Sequence, residues 1–229
     1  MSAEAHPRHV RRLLPSDICV LETSEPAGLA DDLVVEERAS AGWPIGRRYE
    51  DLKAGRHLAR RAVACLGVAP MPILRGSYGE PLWPEKVCGS ITHTRDYCAV
   101  AVARRTLWSA VGIDVQDLRP VSDSVRARIC GAQRTAWLAL GAQGPLVAFS
   151  AKESVIKLWF QARRQALALD GLTVAPRQPG RFTALLTDAV TGRPVRLQGR
   201  YACSDRLVFS AIAIPYHAGV RLEAAAHVV

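Results

Sequence analysis

Apolar and polar positions follow two patterns along this chain, helical in some stretches and strand-like in others. Residues 1–26 look ragged, with one short strand expected at 18–21. A polar helix is expected over 28–39, broken by Gly42-Trp43-Pro44. A long helix follows over 47–66 and ends at Gly67, a residue suited to a helix C-terminus. Residues 70–89 are rich in Pro and Gly and read as a shaped loop. The apolar runs 97–103 and 111–115 read as buried strands. A helix over 124–140 carries a Gly131 interruption and places Val125, Ile129, Trp137, Leu138 and Leu140 in the core. The next helix takes Ser150 as its N-cap, packs Val155, Ile156, Leu158 and Trp159 inward, and runs to 167. Four strands are then expected, at 172–175, 181–186, 195–201 and 207–214, separated by turns such as Gln178-Pro179-Gly180. The tail 217–229 has no assigned role.

Two polar intrusions change this picture. On the helix that opens at Ser150, Glu153 and Lys157 are four residues apart, so an acid and an amine share a face. Such a pair also decorates ordinary solvated helices, and Ser150 with Glu153 spells a capping box. The second intrusion is Asp114 within Val111-Gly112-Ile113-Asp114-Val115-Gln116. A carboxylate in a strand this apolar needs a partner, because burying it alone is very costly. A metal ion would supply one. Strand alternation puts Gln116 on the same side as Asp114 and turns Asp117 away.

Composition bounds the reading. The chain has 229 residues, 49% of them hydrophobic, which suffices for one large domain or two small ones. No apolar run approaches the roughly 20 residues of a membrane span, and the N-terminus lacks a secretory pattern. A cytoplasmic protein is expected. The six cysteines show no Cys-x-x-Cys spacing and are taken as reduced, buried small side chains. A formal charge of +9, with Arg-Arg pairs at 47–48, 60–61, 104–105 and 163–164, favours anionic partners: nucleic acid, a phosphorylated small molecule or an acidic protein surface. Arg48 and Arg56 are eight residues apart on one helix and so share a face.

Taken together, four ordered stretches resemble the 4′-phosphopantetheinyl transferases, in the larger monomeric form that activates polyketide, nonribosomal-peptide and siderophore synthetases. They are 72–84 (including Arg75-Gly76), Gly89-Ser90-Ile91-Thr92-His93-Thr94, Gly112-Ile113-Asp114-Val115-Gln116 and Lys152-Glu153-Ser154-Val155-Ile156-Lys157. The family usually has Glu where this chain has Gln116. The resemblance implies an α+β fold of two pseudo-symmetric lobes, each a small, mostly antiparallel sheet on a long helix. Residues 1–109 would bind the coenzyme A nucleotide, and 110–229 would carry the metal site and catalytic helix.

The resemblance also implies a chemistry. Arg48, Arg56 and Arg75, with Thr92 and His93, would hold the phosphates of coenzyme A as co-substrate. Asp114, Glu153 and Gln116 would hold Mg²⁺ or Mn²⁺. Glu153 would act as general base and Lys157 would serve the leaving phosphate, while an acidic apo acyl or peptidyl carrier protein supplies the serine acceptor. The region 121–144 would contribute to carrier docking. Nucleic acid and membrane are not expected as partners. Two other classes fit parts of the sequence. A metal-dependent nuclease also uses Asp, Glu and Lys, though commonly with Glu and Lys two apart on a strand. A non-catalytic nucleic-acid binder fits the charge, but the aromatic residues are not interleaved with basic ones.

Overall fold

The computed structural model describes residues 9–216, so the 217–229 tail lies outside it. Strands β1 (Cys19–Thr23), β2 (Val87–His93) and β3 (Cys98–Arg104) form an antiparallel sheet in the order β1-β3-β2. Helix α1 (Val35–Ser40) and the long α2 (Arg47–Cys65) precede β2. Ala54, Leu58, Ala59, Ala62 and Val63 of α2 pack against Cys98, Val100 and Val102 of β3. The chain then enters β4 (Trp108–Asp117), followed by α3 (Asp123–Cys130), α4 (Arg134–Leu138) and α5 (Gly144–Arg163). Strands β5 (Thr173–Pro176), β6 (Arg181–Thr187), β7 (Pro194–Cys203) and β8 (Leu207–Pro215) complete a second antiparallel sheet, ordered β4-β8-β7-β6-β5. The architecture is the expected α+β pairing of two sheets, each with a long helix. Among the described residues no helix is long and apolar enough to cross a membrane.

Helix α5 comes very close to β4 at Gly112. A Cβ there would lie 2.0 Å from the Ser154 carbonyl oxygen, so only glycine lets α5 rest on β4 at this depth. Val155, Leu158 and Trp159 of α5 then fill a core with Phe182, Ala184, Val195 and Leu197 from the outer strands.

Several expectations are corrected. Helix α5 begins at Gly144, with Pro145 in its first turn, where a missing N–H costs nothing. Ser150 is therefore mid-helix and fully buried, and it caps nothing. Its hydroxyl donates to the Asp114 carbonyl at 3.3 Å and lies 2.9 Å from Ser210 Oγ. The helix stops at Arg163 because Arg164 turns left-handed at φ 55°, short of residue 167. The helix expected over 124–140 is split into α3 and α4 at Gly131, whose φ is 50°. Val125 and Leu138 there are exposed, while Ile129 and Trp137 are buried. The polar helix over 28–39 shrinks to α1. Strand β2 begins inside the stretch read as loop, because its Gly89, Ser90 and Thr92 weaken the apolar signal. All six cysteines are free, but Cys65 and Cys203 are exposed, so burial does not account for those two.

Candidate active site

The two sheets lie edge to edge along β2 and β4. Residues from both lobes converge at that boundary. Asp114, 3% exposed, projects from β4 between the apolar Ile113 and Val115. Its Oδ1 accepts from Lys157 Nζ at 2.8 Å and its Oδ2 from Gln116 Nε2 at 2.7 Å. Lys157 Nζ also donates to the Ile113 carbonyl at 3.2 Å. The expected same-side placement of Asp114 and Gln116 is therefore present, and α5 brings Lys157 to them from across the strand.

Glu153 sits one turn before Lys157 and is half-buried. Desolvation raises its pKa; the Asp114 charge raises it further, and Lys157 opposes both. Two carboxylates thus feel each other with one amine between them, and that amine is already bonded to Asp114. Among the described residues no group of three or more His, Cys, Asp or Glu is placed to hold a metal ion. The third oxygen position is an amide instead. Gln116 directs its NH₂ to Asp114, and turning that amide over would present its oxygen. Two carboxylates and an amide oxygen suit a hard divalent cation such as Mg²⁺, which often needs only one or two protein carboxylates. The residues present fit such an ion.

Two spaces open on this boundary. The smaller, about 330 Å³, is lined by Thr92, His93, Asp114, Gln116, Asp117 and Lys157, among others. Asp117, which alternation turns away, borders it as well. The larger is a cleft of about 800 Å³ whose lining includes Arg48, Arg56, Arg75, His93 and Lys157. Ile91, His93 and Lys157 are common to both. Glu153 lines neither space and is linked to them through Asp114.

Arg56 is the most unusual group in the cleft. It is 6% exposed, its Nε is buried without a hydrogen-bond partner, and it has no ion pair among the described residues. Desolvation pulls its pKa down to about 10, with Glu37 opposing and Arg75 and Arg60 adding to the fall. Arg48 is exposed on the preceding turns of α2. Arg75 lies on the loop before β2, where its N–H donates to Ser40 Oγ at 3.0 Å. Glu37, which sequence reasoning passed over, anchors that loop. Fully buried in α1, it accepts from Ile73 N at 2.8 Å and pairs with Arg60. A single acid in a short polar helix gives no sequence signal for that role.

His93 stands 3.6 Å from Asp51 through its Nδ1. Desolvation lowers its pKa, Asp51 opposes, and Lys157 and Arg47 lower it again, which favours a neutral ring at pH 7. Thr92 is buried, and its Oγ1 accepts from Val115 N at 2.9 Å, leaving its own O–H free to donate.

Arginines line one space, a carboxylate and an amine line the next, and Ile91, His93 and Lys157 border both, an arrangement suited to a phosphorylated ligand. Comparison with known proteins makes this specific. Residues 31–103 match the family model of the 4′-phosphopantetheinyl transferase N-terminal domain, and residues 110–208 that of the 4′-phosphopantetheinyl transferase superfamily. The chain is 36% identical over 215 residues to the 4′-phosphopantetheinyl transferase Svp of Streptomyces mobaraensis, covering 89% of this chain and 87% of Svp. It is 32% identical over 204 residues to PptT of Mycobacterium tuberculosis, of the same description, covering 83% and 89%. Enterobactin synthase component D of Salmonella typhi is 32% identical over 117 residues, about half of each chain. The chain belongs to the 4′-phosphopantetheinyl transferase family and is an enzyme of that activity.

Proposed function

We propose that this enzyme moves the 4′-phosphopantetheine group from coenzyme A to a serine hydroxyl of an apo carrier protein, with a divalent cation at Asp114, Glu153 and Gln116. The observation that carries this reading is the sharing of His93 and Lys157 between the arginine cleft and the Asp114 pocket. A diphosphate lying across that junction would leave its nucleotide among Arg48, Arg56 and Arg75 and put its reacting phosphorus beside Asp114. Arg56 needs an anion, and a nucleotide phosphate meets that need with charge-assisted hydrogen bonds. Thr92 and neutral His93 donate hydrogen bonds to the diphosphate.

Mg²⁺ at the carboxylates would neutralise diphosphate charge and polarise the phosphorus. The serine Oγ forms the new P–O bond as the bond to 3′,5′-adenosine bisphosphate breaks. Glu153 takes the serine proton. Lys157 stabilises the charge gathering on the departing phosphate.

The surrounding surface, with a net +9 on the chain, would steer an acidic carrier toward the cleft. Both spaces are built from one chain, in keeping with a monomer. The enterobactin synthase relative puts siderophore carriers, beside polyketide and nonribosomal-peptide carriers, within the substrate range to test. The deciding experiment incubates the enzyme with coenzyme A, Mg²⁺ and an apo carrier and reads the carrier by mass spectrometry. A gain of one phosphopantetheine is expected. An unmodified carrier with cleaved DNA in the same buffer would overturn the proposal in favour of a nuclease.

A further inference from the structure

No backbone hydrogen bonds join β2 to β4 among the described residues; side chains close that edge instead. Along β4, the Val111 carbonyl accepts from Gln161 Nε2 at 2.7 Å, and Ile113 N donates to Ser90 Oγ at 3.2 Å. The Ile113 carbonyl accepts from Lys157 Nζ, and Val115 N donates to Thr92 Oγ1. Inserting side chains between two strand edges holds them farther apart than a backbone ladder would, and the site opens in that gap.

Gln161 makes the most connections in this seam. Besides Val111, its Nε2 donates to the Lys157 carbonyl at 3.1 Å, and its Oε1 accepts from Gly89 N at 3.1 Å. One amide therefore ties β2, β4 and the backbone of the residue that carries the amine. Both of its N–H groups are used within the protein, so although it borders the cleft it has no donor left for a ligand. Only an amide serves here, since a carboxylate would set oxygen against the Val111 and Lys157 carbonyls.

We infer that Gln161 is a positioning residue for the transfer, fixing the separation of the two lobes at the seam and the placement of Lys157 relative to Thr92 and His93. This rests on the role of Lys157 proposed above. Gln161 touches neither arginine cluster nor carboxylate, so its loss acts on geometry at the phosphorus and spares nucleotide binding.

The test is Gln161→Met, which keeps length and apolar bulk and removes all three hydrogen bonds, with Gln161→Glu as a second variant. The expected result for Gln161→Met is a fall in kcat of about tenfold with KM for coenzyme A within about twofold, as misplacement of a group acting in the transition state predicts. Hydrogen exchange at the Gly89 amide is expected to be slow in the unmodified protein, to quicken in Gln161→Met, and to stay slow in Gln161→Glu, whose carboxylate still accepts from Gly89 N. A wild-type kcat for Gln161→Met would overturn the inference, as would a fall in kcat matched by an equal rise in KM. If the variants do not fold, rapid Gly89 exchange in the unmodified protein overturns it, and slow exchange upholds the tie. If the unmodified protein fails to transfer phosphopantetheine, the Lys157 role falls, while Gly89 exchange still judges the seam.

Discussion

Arg56 and Asp114 are both buried charges in one active site, 6% and 3% exposed, yet their surroundings differ in kind. Arg56, in the first lobe, has an orphaned Nε and, among the described residues, no ion pair, with Glu37 acting on it only through its field. Asp114, in the second, has one oxygen on Lys157 and the other on Gln116. On the proposed function the first lobe is left incomplete for an anion that arrives with the substrate. The second neutralises itself at rest and, on the same reading, exchanges partners when the chemistry begins. Removing groups from the two sides should therefore have opposite effects on the resting protein.

The hardest break falls on the second lobe. Lys157→Ala and Glu153→Ala are each expected to lower kcat by about 10²-fold or more while leaving the circular dichroism spectrum native. Lys157→Ala should also lower Tm, because it strips Asp114 of its ion-pair partner. Turnover near the wild-type rate in either variant would remove that side chain from the chemistry.

The same comparison predicts the reverse in the first lobe. Arg56→Met should raise KM for coenzyme A by about tenfold or more, since a desolvated guanidinium–phosphate contact disappears. Without substrate, however, the variant should be more stable by about 1 kcal/mol, because an unpartnered buried charge is replaced by a packed apolar chain. Paired measurements of KM and Tm check this. A destabilised Arg56→Met protein would mean that Arg56 is held by a partner in the resting state.

How much of this could be read from the chain depended on what each residue reports locally. Asp114, Glu153 and Lys157 stood out because a charge inside an apolar run, or an acid and amine one helical turn apart, already limits the chemistry. Gly112 belonged to the same motif, but its reason, a carbonyl 2.0 Å from where its Cβ would be, exists only once α5 docks. Ser150 misled because a serine that bonds to a neighbouring strand in mid-helix looks, in sequence, like one that caps a helix. Strand β2 was missed because its Ser90 and Thr92 serve the seam, so its polar residues do not report a solvent face. Glu37 and Gln161 gave no signal, since their partners lie 36 and 72 residues away in sequence.

A finer probe of the second lobe is its response to pH. The pKa of Glu153 is raised in the native state, chiefly by desolvation and by Asp114. Just above the ordinary carboxylate range the native protein therefore keeps a proton that the unfolded chain has lost. Stability of the metal-free enzyme should then fall as pH rises through that interval and stay lowered above it. Glu153→Gln should raise the metal-free Tm at neutral pH by about 1–3 °C and leave it unchanged in acid. Mg²⁺ should stabilise the wild type more at neutral pH than in acid, and this difference should vanish in Glu153→Gln. Equal stabilisation at both pH values would place the ion away from Glu153.

The smallest expected effect belongs to Gln116, the amide bonded to Asp114. Gln116→Glu removes the 2.7 Å hydrogen bond to Asp114 and adds a third negative charge beside two carboxylates that already repel. The metal-free variant should be slightly less stable than the wild type. With a divalent cation the sign reverses, because the added carboxylate is a stronger ligand than an amide. Half-saturation by Mg²⁺ should shift about three- to tenfold lower, and Mn²⁺ less, because the softer ion loses less when an amide replaces a carboxylate. Activity titrations with both metals measure this. Identical half-saturation in wild type and variant would leave Gln116 as a hydrogen-bond donor to Asp114, with no part in holding the ion.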